Sequence, residues 1–509
     1  MRRIGFALAS ALLAAPATAQ IQTARVTGGT VSGVVQDGAA IYKGIPFAAP
    51  PLGDLRWRWP YPVQPWSGTL AADHFGQACS QNPRMLAAFG DKNGVGEDCL
   101  TLNVWTPAKT PAEKLPVMVW IYGGGFQGGT ASLPLYDGAG FAKRGVVFVS
   151  INYRTGAIGM LAHPELSKEE GGRSGNYGLM DILWALKWVR ANIAQFGGDD
   201  HNVTIFGQSG GAEAVGMLSY TPAAKGLYDK AISESGGNMK PYHRWETDYS
   251  LNQMRLPDAE QHGVEYLDKL GVKTIAEARA LPADVVTAKM PEAHGPFWPD
   301  FDGLIQPGDN PVYMFENGLF NDVPILVGTN SDDGGGSAQP STPEKFDAWA
   351  HTTFGGGADA ILAAYPHATN EEASRSSDNI FRDNEYAWST YQWARLQAEK
   401  GKAPVYTYYF DRKTARTPNG ARHGAEVGLV LGRATTPEDK ALSDQLMSYW
   451  INFAKTGNPN GAGLPLWPRF TAKDQRYMGL GDKTGPIAVP NKAQLDALSA
   501  YYAWRKAQK

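Results

Sequence analysis

The sequence predicts an α/β protein with a large, mostly parallel central sheet covered by helices on both faces. Short apolar runs, rich in β-branched residues and too short for helices, are bounded by turn residues. These runs alternate with helix-periodic segments, and the order strand, helix, strand is typical of a parallel sheet. With 509 residues, 43% of them hydrophobic, the chain is long enough to bury a large core.

The predicted elements follow one another in the order that this fold class requires. Strands are predicted at 115–125 and 145–154, and a helix at 178–198, where leucine, valine and isoleucine recur at helical spacing. Further strands are predicted, in chain order, at 202–206, 230–237, 323–330 and 405–411. A helix predicted at 442–457 ends at a glycine and closes one face of the sheet.

Three parts of the sequence depart from this alternation. Residues 24–47 predict antiparallel strands joined by glycine-rich turns. Residues 240–320 and 335–400 are less regular, are richer in helix-like segments and lie between strands of the sheet. We predict that both are helical insertions over the strand ends, where α/β proteins build their ligand sites.

Residues 1–19 have the pattern of a signal peptide. Two arginines precede an apolar run at 4–15, and the small-residue sequence "ATA" ends at Ala19. A run of about 12 apolar residues is too short to cross a bilayer, which needs roughly 20, so no stable membrane anchor is predicted. We expect cleavage near Ala19, export to the periplasm or the medium, and one domain over 20–509.

The net charge limits which partners are expected, and the cysteine content bears on the cellular compartment. The formal net charge is −3 without a long run of like charge, so neither nucleic acid nor an anionic membrane is predicted as a partner. The chain has two cysteines, Cys79 and Cys99, and in an exported protein such a pair most simply forms a disulfide. The sequence gives no indication of the oligomeric state.

The segment "GQSGG" at 207–211 joins a predicted strand to a stretch of small residues. Glycine is costly inside a helix or strand, so three glycines around Ser209 indicate a special local geometry. One interpretation is a tight turn in which Ser209 caps the next helix. The other is a nucleophile elbow, in which a strained turn exposes the serine.

A serine nucleophile needs a base that accepts its proton and donors for the oxyanion that forms on an acyl carbonyl. One candidate donor is the backbone N–H of Gly210, directly after Ser209. Others lie in "YGGGFQGG" at 122–129, which follows a predicted strand. Taken alone, that glycine run favours a flexible turn.

The order serine, acid, histidine along the chain selects candidates for the base and the acid. The candidate bases taken from the histidines that follow Ser209 are His262, His294, His351, His367 and His423. His423 is favoured because it lies late in the chain, in a loop after the predicted strand 405–411. Asp332 and Asp333 directly follow the predicted strand 323–330, although paired acids in a glycine-rich loop can also form a solvated turn.

Together these motifs resemble the type B carboxylesterase family, which includes cholinesterases and bacterial carboxylesterases. The resemblance runs from about residue 27 to 470 and rests on these segments: "YKGIPFAAPPLGDLRW", "EDCLTLNVW", "YGGGFQGG", "INYRTGAIGML", "GNYGLMDILWALKWV", "NIAQFGGDDHNVTIFGQSGG", "HGAEVG" and "YWINFAKTGNPN". It implies an α/β-hydrolase fold. It also implies a serine carboxylesterase that cleaves small-molecule esters through an acyl-enzyme, without a metal or cofactor, and the signal-peptide pattern predicts that this enzyme is exported.

The resemblance carries roles to individual residues. The catalytic roles fall on three side chains: Ser209 as nucleophile, His423 as base and Asp333 as acid. The oxyanion donors fall on three glycines: Gly124, Gly125 and Gly210. A supporting group near His423, whose members would hydrogen-bond to one another, falls on three further residues: Gln208, Ser235 and Glu426. The pair Cys79 and Cys99 matches the family's first disulfide.

Two departures from the family pattern stand out. The family's acid is usually the glutamate of a D-E-G motif, whereas this chain reads "DDG", so Asp333 is one methylene shorter. The elbow usually reads G-E-S-A-G, but here Gln208 and Gly210 replace the glutamate and the alanine. Gln208 can still hydrogen-bond, but it lacks the charge that would attract a cationic substrate and raise the pKa of the imidazole.

The same comparison bears on the substrate. Cholinesterases hold a quaternary ammonium over a tryptophan in the first disulfide loop, whereas this loop has no tryptophan and Phe89 is its one aromatic residue. With Gln208 uncharged, a choline ester is not predicted as the preferred substrate. Ala293 and Gly295 stand where cholinesterases carry acyl-pocket aromatics, which predicts room for a bulkier acyl group.

Two alternatives to a carboxylesterase stay open from the sequence. One is an amidase, carbamate hydrolase or lactonase that uses the same three catalytic residues. The other is a non-catalytic adhesion protein of this fold, as the neuroligins are. Such relatives have lost the nucleophile, so the presence of Ser209 and His423 argues against the second alternative.

Overall fold

The structure is a computed structural model. It describes six stretches of the chain: 20–88, 90–241, 253–288, 297–308, 310–334 and 340–507. The predicted signal peptide at 1–19 lies outside the described residues. So do four residues singled out above: Phe89, Ala293, His294 and Gly295.

An 11-stranded sheet organises the described chain, with a 3-stranded and a 2-stranded sheet beside it. The strands, in chain order, are β1 (Thr23–Val26), β2 (Gly29–Ser32), β3 (Val34–Gln36), β4 (Ala39–Pro46), β5 (Thr69–Ala71), β6 (Ala78–Cys79), β7 (Val95–Gly96), β8 (Thr101–Thr106), β9 (Leu115–Ile121), β10 (Val147–Ile151), β11 (Gly198–Gln208), β12 (Lys230–Glu234), β13 (Ile325–Asn330), β14 (Val405–Asp411), β15 (Tyr477–Gly481) and β16 (Gly485–Ile487).

The main sheet has the order β16-β15-β14-β13-β12-β11-β9-β10-β8-β4-β3. Its strands from β15 across to β10 run parallel. Antiparallel strands continue the sheet at both edges: β16 on one side, and β8, β4 and β3 on the other. The mostly parallel sheet and the antiparallel N-terminal strands are as predicted. Parallel strands buried on both faces are expected to be almost wholly apolar, and β9, β10 and β13 are nearly or fully buried.

Helices connect most of the parallel strands. The α-helices are α1 (Pro83–Ala88), α2 (Ala139–Ala142), α3 (Gly156–Met160), α4 (Pro164–Glu169), α5 (Tyr177–Asn192), α6 (Gly210–Tyr220), α7 (Leu256–Leu270), α8 (Ile275–Ala280), α9 (Ala283–Ala288), α10 (Pro311–Glu316), α11 (Pro343–Phe354), α12 (Ala358–Ala364), α13 (Asn370–Arg382), α14 (Trp388–Lys400), α15 (Val427–Val430), α16 (Pro437–Thr456) and α17 (Lys492–Ala507). A π-helical turn, Asp383–Ala387, joins α13 to α14.

Short 3₁₀ helices complete the described chain: Gly53–Leu55, Pro111–Glu113, Pro134–Tyr136, Ile193–Phe196, Pro222–Ala224 and Gly355–Gly357. One of them shortens the helix predicted at 178–198. The α-helix ends at Asn192, the 3₁₀ turn continues to Phe196, and Gly197 stops it in the left-handed region at φ 74°. Glycine is favoured there because it has no Cβ to clash.

The two insertions are helical, as predicted, and each lies between neighbouring parallel strands. Helices α7 to α10 lie between β12 and β13 along the chain, and helices α11 to α14 lie between β13 and β14. A continuous cluster of buried apolar side chains connects the sheet to the helices around it. None of the described helices combines the length and the apolar character needed to cross a bilayer.

Candidate active site

Ser209 lies between the last residue of β11 and the first residue of α6. Its φ is 56° and its ψ is −130°, a combination that residues other than glycine rarely adopt. In the described structure its side chain makes no capping hydrogen bond. The turn is therefore strained at the serine, and the helix-cap interpretation of "GQSGG" does not describe it.

The glycines of the turn allow two backbone segments to approach each other closely. A Cβ at Gly207 would lie 2.5 Å from the Ile121 carbonyl oxygen, and a Cβ at Gly211 would lie 2.1 Å from the same atom. A Cβ at Gly210 would lie 2.9 Å from the Gly125 nitrogen. Side chains at these positions would push the turn away from strand β9 and from the glycine-rich loop that follows it.

His423 and Asp333 form a direct pair. Nδ1 of His423 lies 2.7 Å from Oδ1 of Asp333, which comes three residues after the end of β13. The Asp333 side chain is fully buried, whereas the His423 side chain is 32% exposed. Asp333 Oδ2 accepts hydrogen bonds from Ser235 Oγ at 2.7 Å and from the Asn330 backbone N–H at 2.8 Å.

Asp332 points to a different partner. Its Oδ1 lies 2.8 Å from Nη1 of Arg375 on α13, and its backbone bridges to Arg422. The structure therefore brings Asp333, and not Asp332, to His423.

The other nitrogen of His423 is occupied by Gln208. Gln208 Nε2 lies 3.1 Å from His423 Nε2. Since Nδ1 faces a carboxylate and carries the proton, Nε2 is the acceptor and the Gln208 amide is the donor. Among the described residues no hydrogen bond joins His423 to Ser209, and the Gln208 amide is the group that bonds to Nε2.

The supporting residues differ from the expectation that they hydrogen-bond to one another. Gln208 bonds to His423, Ser235 bonds to Asp333, and Glu426 accepts from the side-chain amide of Asn330. Each therefore has its own partner around the His423–Asp333 pair. The reason is that Ser235 and Asp333 follow neighbouring strands, so their side chains meet directly.

The glycine-rich loop after β9 lies against the serine turn. Gly124 and Gly125 have φ values of 118° and 59°, both in the left-handed region. A Cβ at Gly123 would lie 2.6 Å from the Gln208 carbonyl oxygen and 3.0 Å from Ser209 Cβ. The three glycines predicted as oxyanion donors, Gly124, Gly125 and Gly210, are thus brought together beside Ser209.

Contacts at both ends hold this loop. The rings of Tyr122 and Tyr153 stack 4.3 Å apart, and each hydroxyl donates to the other residue's backbone carbonyl, at 2.9 and 2.7 Å. At the far end, Gln81 Oε1 accepts from Gly129 N at 2.6 Å and Gln81 Nε2 donates to Gly129 O at 2.7 Å. Gln81 lies two residues after Cys79, and a disulfide joins Cys79 to Cys99 as predicted.

Several acids act on His423. Burial alone lowers the pKa of its imidazole, but the hydrogen bond and charge of Asp333, followed by the charges of Glu426 and Glu213, outweigh burial and raise that pKa above its usual value. Burial raises the pKa of Glu426 to about 7, with a further contribution from Asp333. Burial likewise raises the pKa of Glu213, on α6, to about 8.

Sequence reasoning missed several residues around His423. The ring of Tyr386, in the π-helical turn, stacks on the imidazole with centroids 4.6 Å apart and 18° between planes. Next to it, Glu385 pairs with Lys240 at 2.8 Å, and both side chains are essentially unexposed. The position of Glu213 in α6, one helical turn after Ser209, was visible in the sequence. No sequence pattern connected Tyr386 or Lys240 to the site.

The other histidine candidates within the described residues have surroundings of their own. His262 is on α7, His351 on α11 lies 3.9 Å from Asp347, and His367 stacks on Phe346. Over the described stretches, no group of three or more metal-ligating side chains is arranged to hold a metal ion.

Comparisons with known proteins agree with this fold. The family model described as the Carboxylesterase family matches residues 15–498. Fumonisin B1 esterase of Sphingopyxis macrogoltabida is 34% identical over 498 residues, covering 93% of this chain and 89% of that protein. Para-nitrobenzyl esterase of Bacillus subtilis is 34% identical over 463 residues, covering 87% of this chain and 91% of that protein. A solved structure of PNB esterase matches with a TM-score of 0.82 at 32% identity, covering 94% of this chain and 99% of that chain.

The fold is thus the predicted α/β-hydrolase fold, and the protein is a carboxylic ester hydrolase. The chain belongs to the type B carboxylesterase family, which confirms the resemblance found in the sequence. The alternatives of another hydrolase class or a non-catalytic adhesion protein gain no support from these relatives.

Proposed function

We propose that this protein is an exported serine carboxylesterase that works through an acyl-enzyme formed on Ser209. The observation that carries the proposal is the strained strand-to-helix turn at Ser209, φ 56°, at the same sheet edge as the 2.7 Å His423–Asp333 pair. The carboxyl ends of parallel strands meet at one edge, where α/β enzymes place their reacting groups.

In the first step Ser209 Oγ attacks the ester carbonyl carbon while His423 Nε2 takes the hydroxyl proton. The tetrahedral intermediate collapses, the proton passes to the departing alcohol, and the acyl group stays on Ser209. A water molecule then repeats the sequence, with His423 again as the base, and releases the carboxylic acid. Asp333 holds the Nδ1–H tautomer and stabilises the imidazolium in both halves.

For this step the Gln208 amide has to leave His423 Nε2. Hydrogen bonds of catalytic groups are often incomplete before substrate binds and tighten in the reacting complex. We propose that Gln208 holds the imidazole in place in the free enzyme and gives way when the serine hydroxyl engages. Ser235 and Glu426 support the same pair, Ser235 by its bond to Asp333 and Glu426 by its bond to Asn330.

The negative oxygen of the intermediate is held by backbone N–H groups of Gly124, Gly125 and Gly210. Support comes from the close approach of the loop and the turn, in which a Cβ at Gly210 would lie 2.9 Å from the Gly125 nitrogen. Donors fixed in advance stabilise developing charge without reorganisation, and the loss of one such donor costs about 10²–10³ in kcat.

We further propose export by a signal peptide cleaved near Ala19, and a single catalytic domain over 20–509. The disulfide is consistent with an oxidising compartment, where such bonds persist. The continuous apolar core supports one domain. The names of two relatives suggest the first esters to assay: a para-nitrobenzyl ester and fumonisin B1.

The deciding experiment replaces the nucleophile. Ser209→Ala should abolish ester hydrolysis and leave the melting temperature near that of the wild type, because the hydroxyl makes no capping bond. Intact mass after reaction with a fluorophosphonate should rise by one adduct in the wild type and by none in the variant. Ser219→Ala, in the same helix, is the matched control and should keep both turnover and labelling. Full activity of Ser209→Ala would refute the mechanism.

A further inference from the structure

The helix that runs from 370 to 400 is interrupted beside the imidazole by a π-helical turn. The turn spans Asp383–Ala387, between α13 and α14. A π-turn closes its hydrogen bonds over one more residue than an α-turn, so it changes the face on which the following side chains lie, and such turns are frequent at functional sites. Here it places Tyr386 on His423.

The polar side chains of this turn are tied into the surrounding structure. Arg382 donates to both oxygens of Asp383, at 2.8 and 3.0 Å, and Asn384 Oδ1 accepts from Tyr502 at 2.8 Å. Glu385 Oε2 accepts from Lys240 Nζ at 2.8 Å. Lys240 lies in the segment after β12, so this ion pair attaches the turn directly to the sheet edge that carries the site.

Three contacts restrain the His423 ring in two directions. Its nitrogens face Asp333 and Gln208, and these two contacts hold the ring within its own plane. They leave the ring free to tilt about the line that joins the two nitrogens. The stacked ring of Tyr386, 4.6 Å away and tilted by 18°, opposes that tilt.

We propose that Tyr386 is a positioning residue for His423, and that the buried Lys240–Glu385 pair fixes the π-helical turn that carries it. The inference rests on the proposed function, in which His423 is the base. The stacked phenol ring also presents its electron-rich face to the imidazolium that forms during turnover. Tyr386 therefore stabilises the charged form of the base as well as its orientation.

The titratable and charged groups around His423 determine how kcat depends on pH. The acids are Asp333 from the loop after β13, Glu426 from its own loop and Glu213 from α6. Gln208 is neutral, and Arg422 precedes His423 in the chain. Burial raises the pKa of Tyr386 well above 10, so its phenol stays neutral across the working range.

The test compares Tyr386→Leu with Tyr386→Phe, which keeps the aromatic face. Tyr386→Leu should lower kcat about three- to tenfold and move the acidic limb of the kcat profile to lower pH, because the imidazolium loses its stacked partner. Tyr386→Phe should keep both values. Tyr391→Leu, on the same helix and bonded to Gln475 through its hydroxyl in the wild type, is the control and should leave the limb in place.

If Tyr386 lined the substrate pocket and did not position His423, its variants would give a different result. If Tyr386→Leu changes KM and ester preference while the limb stays in place, the positioning role is overturned. It is also overturned if Tyr386→Phe is as damaging as Tyr386→Leu at equal thermal stability. His423→Gln is measured in parallel: if it abolishes turnover, the base assignment stands whatever the Tyr386 variants do.

The anchor is tested by the double variant Lys240→Met/Glu385→Gln, which removes one charge of each sign and so leaves the net charge near His423 unchanged. The folded double variant should shift the acidic limb in the same direction as Tyr386→Leu. An unchanged limb in a folded double variant would overturn the role of the ion pair. If the double variant does not fold, the ion pair is required for the fold itself, and the Tyr386 variants alone decide the positioning role.

Discussion

Two adjacent aspartates, Asp332 and Asp333, differ completely in their surroundings. Asp333 is buried and bonds to His423, Ser235 and a backbone N–H, whereas Asp332 reaches the surface arginine Arg375. Asp333→Asn should lower kcat by about 10⁴-fold, because the amide favours the wrong imidazole tautomer. Asp332→Asn should lose less than about 1 kcal/mol of stability and keep turnover, as expected for a partly exposed ion pair.

Steady-state kinetics and thermal melts of both variants check this prediction. Asp332→Asn as the more damaging change, at an unchanged melting temperature, would move the role of the acid to Asp332. The third variant, Asp333→Glu, should also be impaired, because a side chain one methylene longer does not fit the buried position that Asp333 fills.

Gln208 allows the charge beside the base to be changed without moving the backbone. Gln208→Glu places a carboxylate next to His423 Nε2, which favours the imidazolium and raises its pKa. The base must be neutral to accept the serine proton, so the acidic limb of the pH–rate profile should move to higher pH by about one unit. The profile is measured with a neutral ester. An unmoved limb would mean that residue 208 is not coupled to the base.

The prediction of site residues from sequence depended on whether a motif or the family pattern marks them. Ser209 was identified from the glycines on either side of it, and His423 and Asp333 from chain order and family pattern. Tyr386 and Lys240 were not found, because no motif marks them and a π-helical turn has no simple hydrophobic period. Gln208 was expected near His423, but its direct bond to Nε2 depends on side-chain geometry.

At the scale of single elements, the junction of β11 and α6 depends on glycines that leave no room for a side chain. A Cβ at Gly211 would lie 2.1 Å from the Ile121 carbonyl oxygen and 2.7 Å from the Tyr122 carbonyl oxygen. Gly211→Ala should therefore destabilise the protein by about 1–3 kcal/mol, since backbone atoms would have to move.

Helix α15 supplies the control for that change. A Cβ at Gly428 would meet a single atom, in Leu135, at 3.8 Å, which is ordinary contact. Gly428→Ala should be neutral or stabilising by up to about 1 kcal/mol, the usual gain for alanine over glycine in a helix. Urea titrations compare the two variants, and equal stabilities would contradict the packing argument at the elbow.

The observed bounds of strands and helices agree with the predicted bounds where a local sequence signal marks the boundary and the prediction took it into account. The predicted strand 405–411 coincides with β14. The helix predicted from 442 begins earlier, at Pro437, because Thr436 caps it through Asp439 N and proline suits the first helical position. The spacing of apolar residues does not indicate a helix start at Pro437, because the first turn of the helix is polar. Likewise β11 begins at Gly198, ahead of its apolar part.

At the scale of the whole molecule, the disulfide connects stability to the site. It joins Cys79 to Cys99, and Gln81 beside it holds Gly129 at the end of the glycine-rich loop. The double variant Cys79→Ala/Cys99→Ala should lose about 3 kcal/mol of stability, the expected value for a loop of this size. It should also lose turnover, because the loop loosens.

Wild type expressed from the full sequence should have the intact mass of a chain that begins near Gln20 and should have no alkylatable thiol. The stability prediction for the disulfide has reduced wild type as its control. Reduced wild type should melt at the same temperature as the Cys79→Ala/Cys99→Ala variant. A double variant that melts with the oxidised wild type would contradict a stabilising role for the bridge.

The positions of the two insertions have a consequence for how this enzyme can be re-engineered. Helices α7 to α10 and α11 to α14 each lie between one parallel strand and the next, whereas Ser209, Asp333 and His423 lie outside these helices, in the segments that follow β11, β13 and β14. Each insertion is therefore a cassette whose two ends are fixed by neighbouring strands. Exchange of helices α7 to α10 alone, which leaves Lys240 in place, with the matching helices of a relative should transplant ester preference while the chemistry stays with the host. The second cassette carries Tyr386, so its exchange should alter preference and base strength together.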